Sequence, residues 1–74
     1  MAKVITFEPD RSNHIRRLTY DPDTLRLTTS FLNGSSESRT DVPPDVFAAM
    51  TRSRSTGSYY HAVIKRHYKL AEKP

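Results

Sequence analysis

The stretch LRLTTSFLNG, residues 25–34, carries the clearest strand pattern in the chain. Its side chains alternate, so that one face takes Leu25, Leu27, Thr29 and Phe31 and the other takes Arg26, Thr28 and Ser30. A period of two with one apolar face is typical of a half-buried β-strand. Asn33-Gly34 directly after it predicts a type I′ hairpin turn, in which both residues adopt positive φ.

Further strands are predicted on both sides of this hairpin. Before it, residues 15–20, IRRLTY, run into residues 21–24, DPDT. There proline fixes one φ and the aspartates accept local backbone hydrogen bonds, as a tight turn requires. After it, residues 35–42, SSESRTDV, form a third strand that is nearly all polar, so we expect it at an edge or facing solvent. Residues 4–7, VITF, are either a short extra strand or part of a flexible leader.

Proline marks the change from strands to helices at residues 42–45, VPPD. Proline suits a first helical turn because its missing N–H has no partner there, and Asp45 suits the positive end of the helix. Val46, Phe47 and Met50 then fall on one side of a short helix. A polar connector, TRSRSTG at residues 51–57, leads to a second helix.

The second helix is predicted within residues 57–70, GSYYHAVIKRHYKL, with Ser55, Thr56 or Ser58 as its cap. Helical spacing puts one broad apolar and aromatic face on Tyr59, Tyr60, Val63, Ile64, His67, Tyr68 and Leu70, and a cationic face on His61, Lys65, Arg66, Lys69 and Lys73. The first face is interpreted as core, with tyrosine hydroxyls at its rim. His67 is accordingly interpreted as a packed histidine.

These elements predict an α+β fold: a three-stranded antiparallel meander, with a short N-terminal strand as an option, followed by two helices packed on one face. We expect a leader or short strand at residues 1–11, the domain at 12–70 and a C-terminal tail at 71–74. The predicted core is Leu18, Leu25, Leu27, Phe31, Val46, Phe47, Met50, Tyr60 and Ile64.

Composition places the chain among small basic proteins. Among its 74 residues there is no cysteine, which excludes disulfides and thiolate metal sites, and the net charge is +4. Residues 1–50 hold six Lys/Arg and seven Asp/Glu, whereas residues 51–74 hold six Lys/Arg and only Glu72, a net charge of +5. Clustered positive charge attracts phosphates, although it also serves solubility. No apolar run is long enough to cross a membrane, and we expect a cytoplasmic protein.

No catalytic or metal-binding motif is recognised. His14, His61 and His67 are interpreted as lying in separate settings, since His61 and His67 do not have the i, i+4 spacing of a metal-binding pair. The two glycines, Gly34 and Gly57, form no phosphate-binding loop. We expect a protein that is not an enzyme and that has no cofactor and no metal.

Several ordered motifs resemble the KTSC family, small domains named for their place at the C-terminus of some lysyl-tRNA synthetases and also found alone in bacteria and phages. The matching pieces are Ser12-Asn13-His14-Ile15, Tyr20-Asp21-Pro22, Leu25-Arg26-Leu27 with Phe31 and Gly34, Asp41-Val42-Pro43-Pro44-Asp45-Val46-Phe47, Ser55-Thr56-Gly57-Ser58-Tyr59-Tyr60-His61, and Ile64-Lys65 with Tyr68. The sequence departs from the family at Glu37 and Arg39, which stand where the family has a Tyr-x-Tyr pair. This departure removes aromatic faces that would stack on bases, or leaves the third strand exposed.

The resemblance implies RNA binding. We weigh two binding hypotheses beside a third, in which a stable stand-alone domain has a partner surface that leaves no trace in the sequence. In the first, a nucleic acid is bound by Arg52, Arg54, Tyr59, His61, Lys65, Arg66, Tyr68 and Lys69, with Arg16, Arg17 or Arg39 extending the track. In the second, the protein is a protein-interaction module of a bacterium or phage, and the partner, or a second copy in a homodimer, docks on the third-strand edge at Glu37 and Arg39 or on the basic helix.

Overall fold

The computed structural model describes residues 3–9 and 14–71, and within them the sheet has four antiparallel strands. These are β1 (Ile5–Phe7), β2 (Ile15–Asp21), β3 (Arg26–Phe31) and β4 (Ser36–Arg39), and they lie side by side in chain order. The α+β prediction is confirmed, with the optional strand present as β1. The motif residues Ser12 and Asn13, as well as Lys73 and the rest of the predicted tail from 72 to 74, lie outside the described residues.

Strand β1 is tied to the domain through β2. Ile5 lies opposite Tyr20 and Phe7 lies opposite Leu18, and the half-buried Phe7 ring packs against the core. Of residues 4–7, for which the sequence allowed either a short strand or part of a flexible leader, Ile5–Phe7 therefore form a strand of the sheet.

An irregularity at the start of β2 explains how two consecutive arginines fit in a half-buried strand. The register with β3 shifts between Ile15 and Arg17, as at a β-bulge. Ile15 and Leu18 consequently both face the core, while Arg16 and Arg17 are exposed. Strict alternation would have buried one of these arginines beside Leu18.

The β3–β4 connection differs from the predicted type I′ turn. Gly34 has φ +93°, but Asn33 does not have a positive φ. The Gly34 N–H donates to the Phe31 carbonyl (3.1 Å), and the Phe31 N–H donates to the Ser35 carbonyl (2.8 Å). The loop therefore has three residues, and only the last adopts the left-handed conformation that glycine favours. The Asn33 side chain instead accepts the Ser35 N–H (2.9 Å).

The first helix, α1 (Pro44–Arg52), begins as predicted, with Pro44 in its first turn and Asp45 beside it. A second helical region, here called the C-terminal helix, consists of α2 (Thr56–Tyr59), a π-helical turn (Tyr60–Ile64) and α3 (Lys65–His67). The Ser55 hydroxyl accepts the Ser58 N–H (3.2 Å), so Ser55 is the cap.

The C-terminal helix differs from the predicted one in phase and in length. In the π-helical turn the Lys65 N–H donates to the Tyr60 carbonyl, five residues back, which rotates the helix relative to the α-helical period. Tyr60 and Ile64 are buried, whereas His67 is exposed, so the interpretation of His67 as a packed histidine is wrong. Helix geometry ends at His67, and Tyr68 is extended.

Nine buried residues form the core between the sheet and the helices: Ile15, Leu18, Tyr20, Leu27, Val42, Phe47, Met50, Tyr60 and Ile64. Six of them were predicted; the other three predicted residues, Leu25, Phe31 and Val46, are partly buried and pack against the core. The sequence analysis missed Ile15, Tyr20 and Val42. Burial raises the pKa of Tyr20, and its neutral hydroxyl donates to the Val42 carbonyl.

Thr29 gives a stability prediction. Its side chain is fully buried, and its hydroxyl has no hydrogen-bond partner among the described residues. An unpaired buried hydroxyl is unfavourable because it has lost its water. We expect Thr29→Val to raise the free energy of unfolding by about 1 kcal/mol, measured by urea denaturation. Thr28→Val is the control: the Thr28 hydroxyl is bonded to Ser38 (2.9 Å), so this change should not stabilise. Equal effects of the two changes would contradict the argument.

Candidate nucleic-acid interface

Arg39, predicted to lie on an exposed track or edge, is buried and is the centre of an internal polar network. It is 6% exposed, and its guanidinium donates to a Glu37 carboxylate oxygen (2.6 Å), the Tyr68 carbonyl (3.0 Å) and the Tyr60 hydroxyl (3.4 Å). Burial lowers the pKa of Arg39, but Tyr60 and Glu37 outweigh that effect, so its pKa stands above the ordinary value. Burial also raises the pKa of Tyr60, which therefore stays neutral. Arg39 is thus a charged residue with a structural role inside the domain.

The two positions at which the resemblance implies tyrosines therefore face inward in this chain. Glu37 lies opposite Thr29 and Arg39 lies opposite Leu27, on the face of β3 that packs against the core. At the two places where the resemblance implies tyrosines, this chain has an ion pair. The departure does not leave the third predicted strand unusually exposed at these positions.

The outer edge of β4 is covered by the residues that follow the C-terminal helix. Thr40 N–H donates to the Lys69 carbonyl (3.2 Å), and Ala71 N–H donates to the Ser38 carbonyl (2.7 Å). Arg39 and Leu70 form an antiparallel bridge between these bonds. The expectation of an open edge is wrong at Arg39, because the chain itself pairs with residues 38–40 there.

The five cations predicted to bind phosphates on and beside the C-terminal helix are all exposed. They are Arg52, Arg54, Lys65, Arg66 and Lys69, here called the cationic surface. Between Thr51 and Ala71 the sequence contains no aspartate or glutamate. The ion pairs found among the described residues are Glu8–Arg17 (2.9 Å) and Glu37–Arg39 (2.6 Å), so none of these cations takes part in one.

The remaining predicted nucleic-acid contacts divide between exposed and half-buried positions. His61 is exposed, while Tyr59 and Tyr68 are half-buried and pack against the core with part of each ring. Arg16 is exposed, and Arg17 of β2 is held by Glu8, which follows β1. Arg39 is therefore not available as one of the predicted phosphate contacts, whereas the residues on and beside the C-terminal helix remain accessible.

The fold brings together two histidines that the sequence placed in separate settings. The rings of His14 and His61, here called the histidine pair, have centroids 5.0 Å apart and planes at 62°. Beneath them, the rings of Phe31 and Tyr60 are in edge contact at 5.7 Å. A groove of about 320 Å³ beside the pair is lined by His14, Phe31, Leu32 and Asn33. No sequence spacing signals this pair, since its members are 47 positions apart.

The described residues were also compared with the requirements of a membrane-spanning helix and of a metal site with three or more ligands. Within residues 3–9 and 14–71, no helix has the length and apolar character needed to cross a membrane. Over the same residues, no group of three or more His, Cys, Asp or Glu side chains is arranged to hold a metal ion. The expectation that the protein is not an enzyme stays a prediction.

The sequence matches the KTSC domain family over residues 11–68. The chain belongs to the KTSC domain family. It is 33% identical over 60 residues to an uncharacterized protein from Stutzerimonas stutzeri, a match that covers 80% of this chain and 84% of that one. A protein from Tsukamurella paurometabola is 29% identical over 62 residues, covering 84% of this chain and 92% of the relative.

A solved structure supports the KTSC fold independently of close sequence likeness. The crystal structure of a KTSC domain protein from Yersinia pestis superposes with a TM-score of 0.81 over the full length of both chains, at 22% identity. Since the coverage is complete, the likeness includes β1, which lies before the KTSC match. At this identity the likeness concerns the fold alone.

Proposed function

We propose that this KTSC domain protein is a non-catalytic module that binds nucleic acid, and RNA in particular, through its cationic surface. The observation that carries the proposal is the run of residues 51–71, which has five exposed cations and no acidic side chain. A solvated cation that no carboxylate neutralises is available to a phosphate, and each such contact releases a counterion from the nucleic acid.

The cationic surface has two groups of charges. Arg52 and Arg54 precede the C-terminal helix, whereas Lys65 and Arg66 lie in its last turn. A helix rises about 1.5 Å per residue, so roughly 15 Å separates the two groups along the axis. This spacing favours a strand that runs along the helix over a single bound phosphate.

Aromatic side chains near this surface add a contact suited to single-stranded RNA. Tyr59 and Tyr68 are half-buried, and His61 is exposed. Unpaired bases stack on such rings with little dependence on base identity. We therefore expect binding that depends strongly on charge and weakly on sequence.

The test is fluorescence anisotropy with a labelled single-stranded RNA of about 12 nucleotides, at salt concentrations from about 50 to 200 mM. We expect affinity to fall steeply with salt. Lys65→Glu combined with Arg66→Glu should weaken binding at least tenfold, and each lost phosphate contact should reduce the slope of log K against log salt by about 1.

Arg26 offers a matched control, because it is an exposed arginine of β3 outside the cationic surface. Arg26→Glu should leave the affinity for RNA within about twofold, since it removes no proposed phosphate contact. Affinity that is independent of salt, or that falls equally in Arg26→Glu, would overturn the proposal. A protein that co-purifies after nuclease treatment, and is lost on the Lys65→Glu and Arg66→Glu changes, would favour the protein-interaction alternative instead.

A further inference from the structure

We propose that two copies of this chain associate edge to edge through β1, so that two four-stranded sheets become one continuous sheet. The proposal does not depend on nucleic-acid binding. Within residues 3–9 and 14–71, no segment pairs with the outer side of β1, whereas residues 69–71 pair with the outer side of β4. An unpaired strand edge is a template for a further strand.

The hydrogen-bond pattern of the sheet shows that the backbone of Thr6 points outward. Thr6, Thr19, Thr28 and Ser38 lie side by side in one row across the four strands. Along such a row in an antiparallel sheet, hydrogen-bonded and non-hydrogen-bonded pairs alternate. The Ser38 carbonyl accepts the Ala71 N–H (2.7 Å), so Ser38 directs its backbone away from Thr28. Thr28 is then bonded to Thr19, which directs its own backbone away from Thr6. The N–H and C=O of Thr6 therefore lie on the open side of β1.

A two-fold axis at Thr6 gives a register in which this edge matches itself. Each Thr6 then lies opposite the other and exchanges both backbone bonds with it, while Ile5 of each copy lies opposite Phe7 of the other. Ile5 and Phe7 are on the core face of the sheet, since their partners in β2 are the buried Tyr20 and Leu18. Ile5 is nevertheless 44% exposed, so the second copy covers an apolar side chain that the described helices leave open.

The opposite face of the sheet also fits a second copy of the same strand. The row of hydroxyl side chains that ends at the exposed Thr6 continues across the two-fold axis, and its Thr28 and Ser38 hydroxyls are already bonded to each other (2.9 Å). Threonine pairs are among the favourable cross-strand pairs. Edge strands commonly resist pairing with charged residues or proline, and β1, ITF, contains neither. An uncharged, self-matching edge favours a second copy over a charged peptide as its occupant.

The contact is small, so the dimer is expected to be reversible. Only residues 4–8 of each copy pair, compared with roughly 20–30 residues a side in a standard stable interface. The net charge of +4 on each copy also opposes association. We expect a dissociation constant between about 10 µM and 1 mM, with tighter association as salt screens the repulsion. Salt should weaken RNA binding, so the two properties are distinguishable.

The test is sedimentation equilibrium of the nuclease-treated full chain, at concentrations from about 10 µM to 1 mM. The wild type should pass from monomer to dimer. Thr6→Pro removes the outward N–H from both copies and should weaken association at least tenfold, although an edge strand tolerates proline where the N–H is unpaired. Thr6→Lys should weaken it at least threefold, because like charges then lie directly opposite each other. Leu32→Lys, which adds the same charge at an exposed hairpin position, should stay within about twofold of the wild type.

A mixture of two variants tests the two-fold register. Thr6→Lys and Thr6→Glu should each self-associate poorly, whereas an equal mixture should associate at least as well as the wild type, since opposite charges then face each other. Circular dichroism verifies that each variant is folded. A wild type that remains monomeric at about 1 mM, or a dimer that neither Thr6→Pro nor Thr6→Lys weakens, would overturn the proposal. A mixture that associates no better than its components would overturn the register. A monomeric wild type that instead binds a different protein through Thr6 would show that β1 has another occupant and would also overturn the dimer.

Discussion

Replacing Phe47 by alanine is expected to lower the free energy of unfolding by about 3–5 kcal/mol, close to the whole stability of so small a domain. The Phe47 ring is 6% exposed and lies parallel to the ring of Tyr20, with centroids 4.6 Å apart. The stack joins α1 to β2, so truncation leaves a cavity at the contact between the helices and the sheet. Urea denaturation followed by circular dichroism measures the loss.

Leu32 provides the control for Phe47, because it is an apolar side chain at the hairpin that is 56% exposed. Leu32→Ala should change stability by less than about 0.5 kcal/mol. If Phe47→Ala kept the melting temperature of the wild type, the assignment of Phe47 to the core would be wrong.

Arg39→Ala is expected to cost about 3 kcal/mol, at the lower end of the range for a broken buried ion pair. The change leaves the Glu37 carboxylate without its 2.6 Å partner and the Tyr68 carbonyl without its 3.0 Å donor. The lower end applies because the Glu37 side chain keeps 24% of its accessible surface and is partly solvated. Thermal and urea denaturation both report this change.

A double replacement tests whether positions 37 and 39 require a charge pair or only packed side chains. Glu37→Tyr combined with Arg39→Tyr introduces the aromatic pair that the KTSC resemblance implies at these two places. Packed apolar groups often replace a buried ion pair without loss of stability, so this variant should lie well above Arg39→Ala. Arg26→Ala, at an exposed arginine of the neighbouring strand, should lie within about 0.5 kcal/mol of the wild type. A double variant no more stable than Arg39→Ala would mean that this site requires the charges.

Local patterns predict the parts of this fold that depend on neighbouring residues. The alternation from Leu25 to Phe31 gives β3, and the proline pair with Asp45 gives the start of α1. Leu27 and Phe47 are buried as expected, because a strand or helix with one apolar face has one stable orientation against a sheet. The cations of the C-terminal helix are likewise exposed, as the helical period predicts.

The features that the sequence did not predict depend on contacts between distant segments. Arg39 looks like a surface residue in a polar strand, but it is buried because Tyr60 and the Tyr68 carbonyl, more than 20 positions away, offer partners to its guanidinium. The π-helical turn has no residue signature, and it alters the face that His67 would have occupied. The histidine pair arises only when the C-terminal helix docks beside the β3–β4 hairpin.

The bonds from Lys69 and Ala71 to β4 also decide which edge of the sheet is open to strand addition. With that side taken, β1 is the edge strand left at the other end of the four-stranded order, and Val4 and Ile5 are exposed there. Continuous growth of a fibre by strand addition requires two unpaired strand edges on every molecule, whereas a molecule with one such edge pairs with a single neighbour. Within the part of the chain described by the structure, strand addition on the β4 side has to displace the pairing of residues 69–71, whereas addition at β1 displaces no strand.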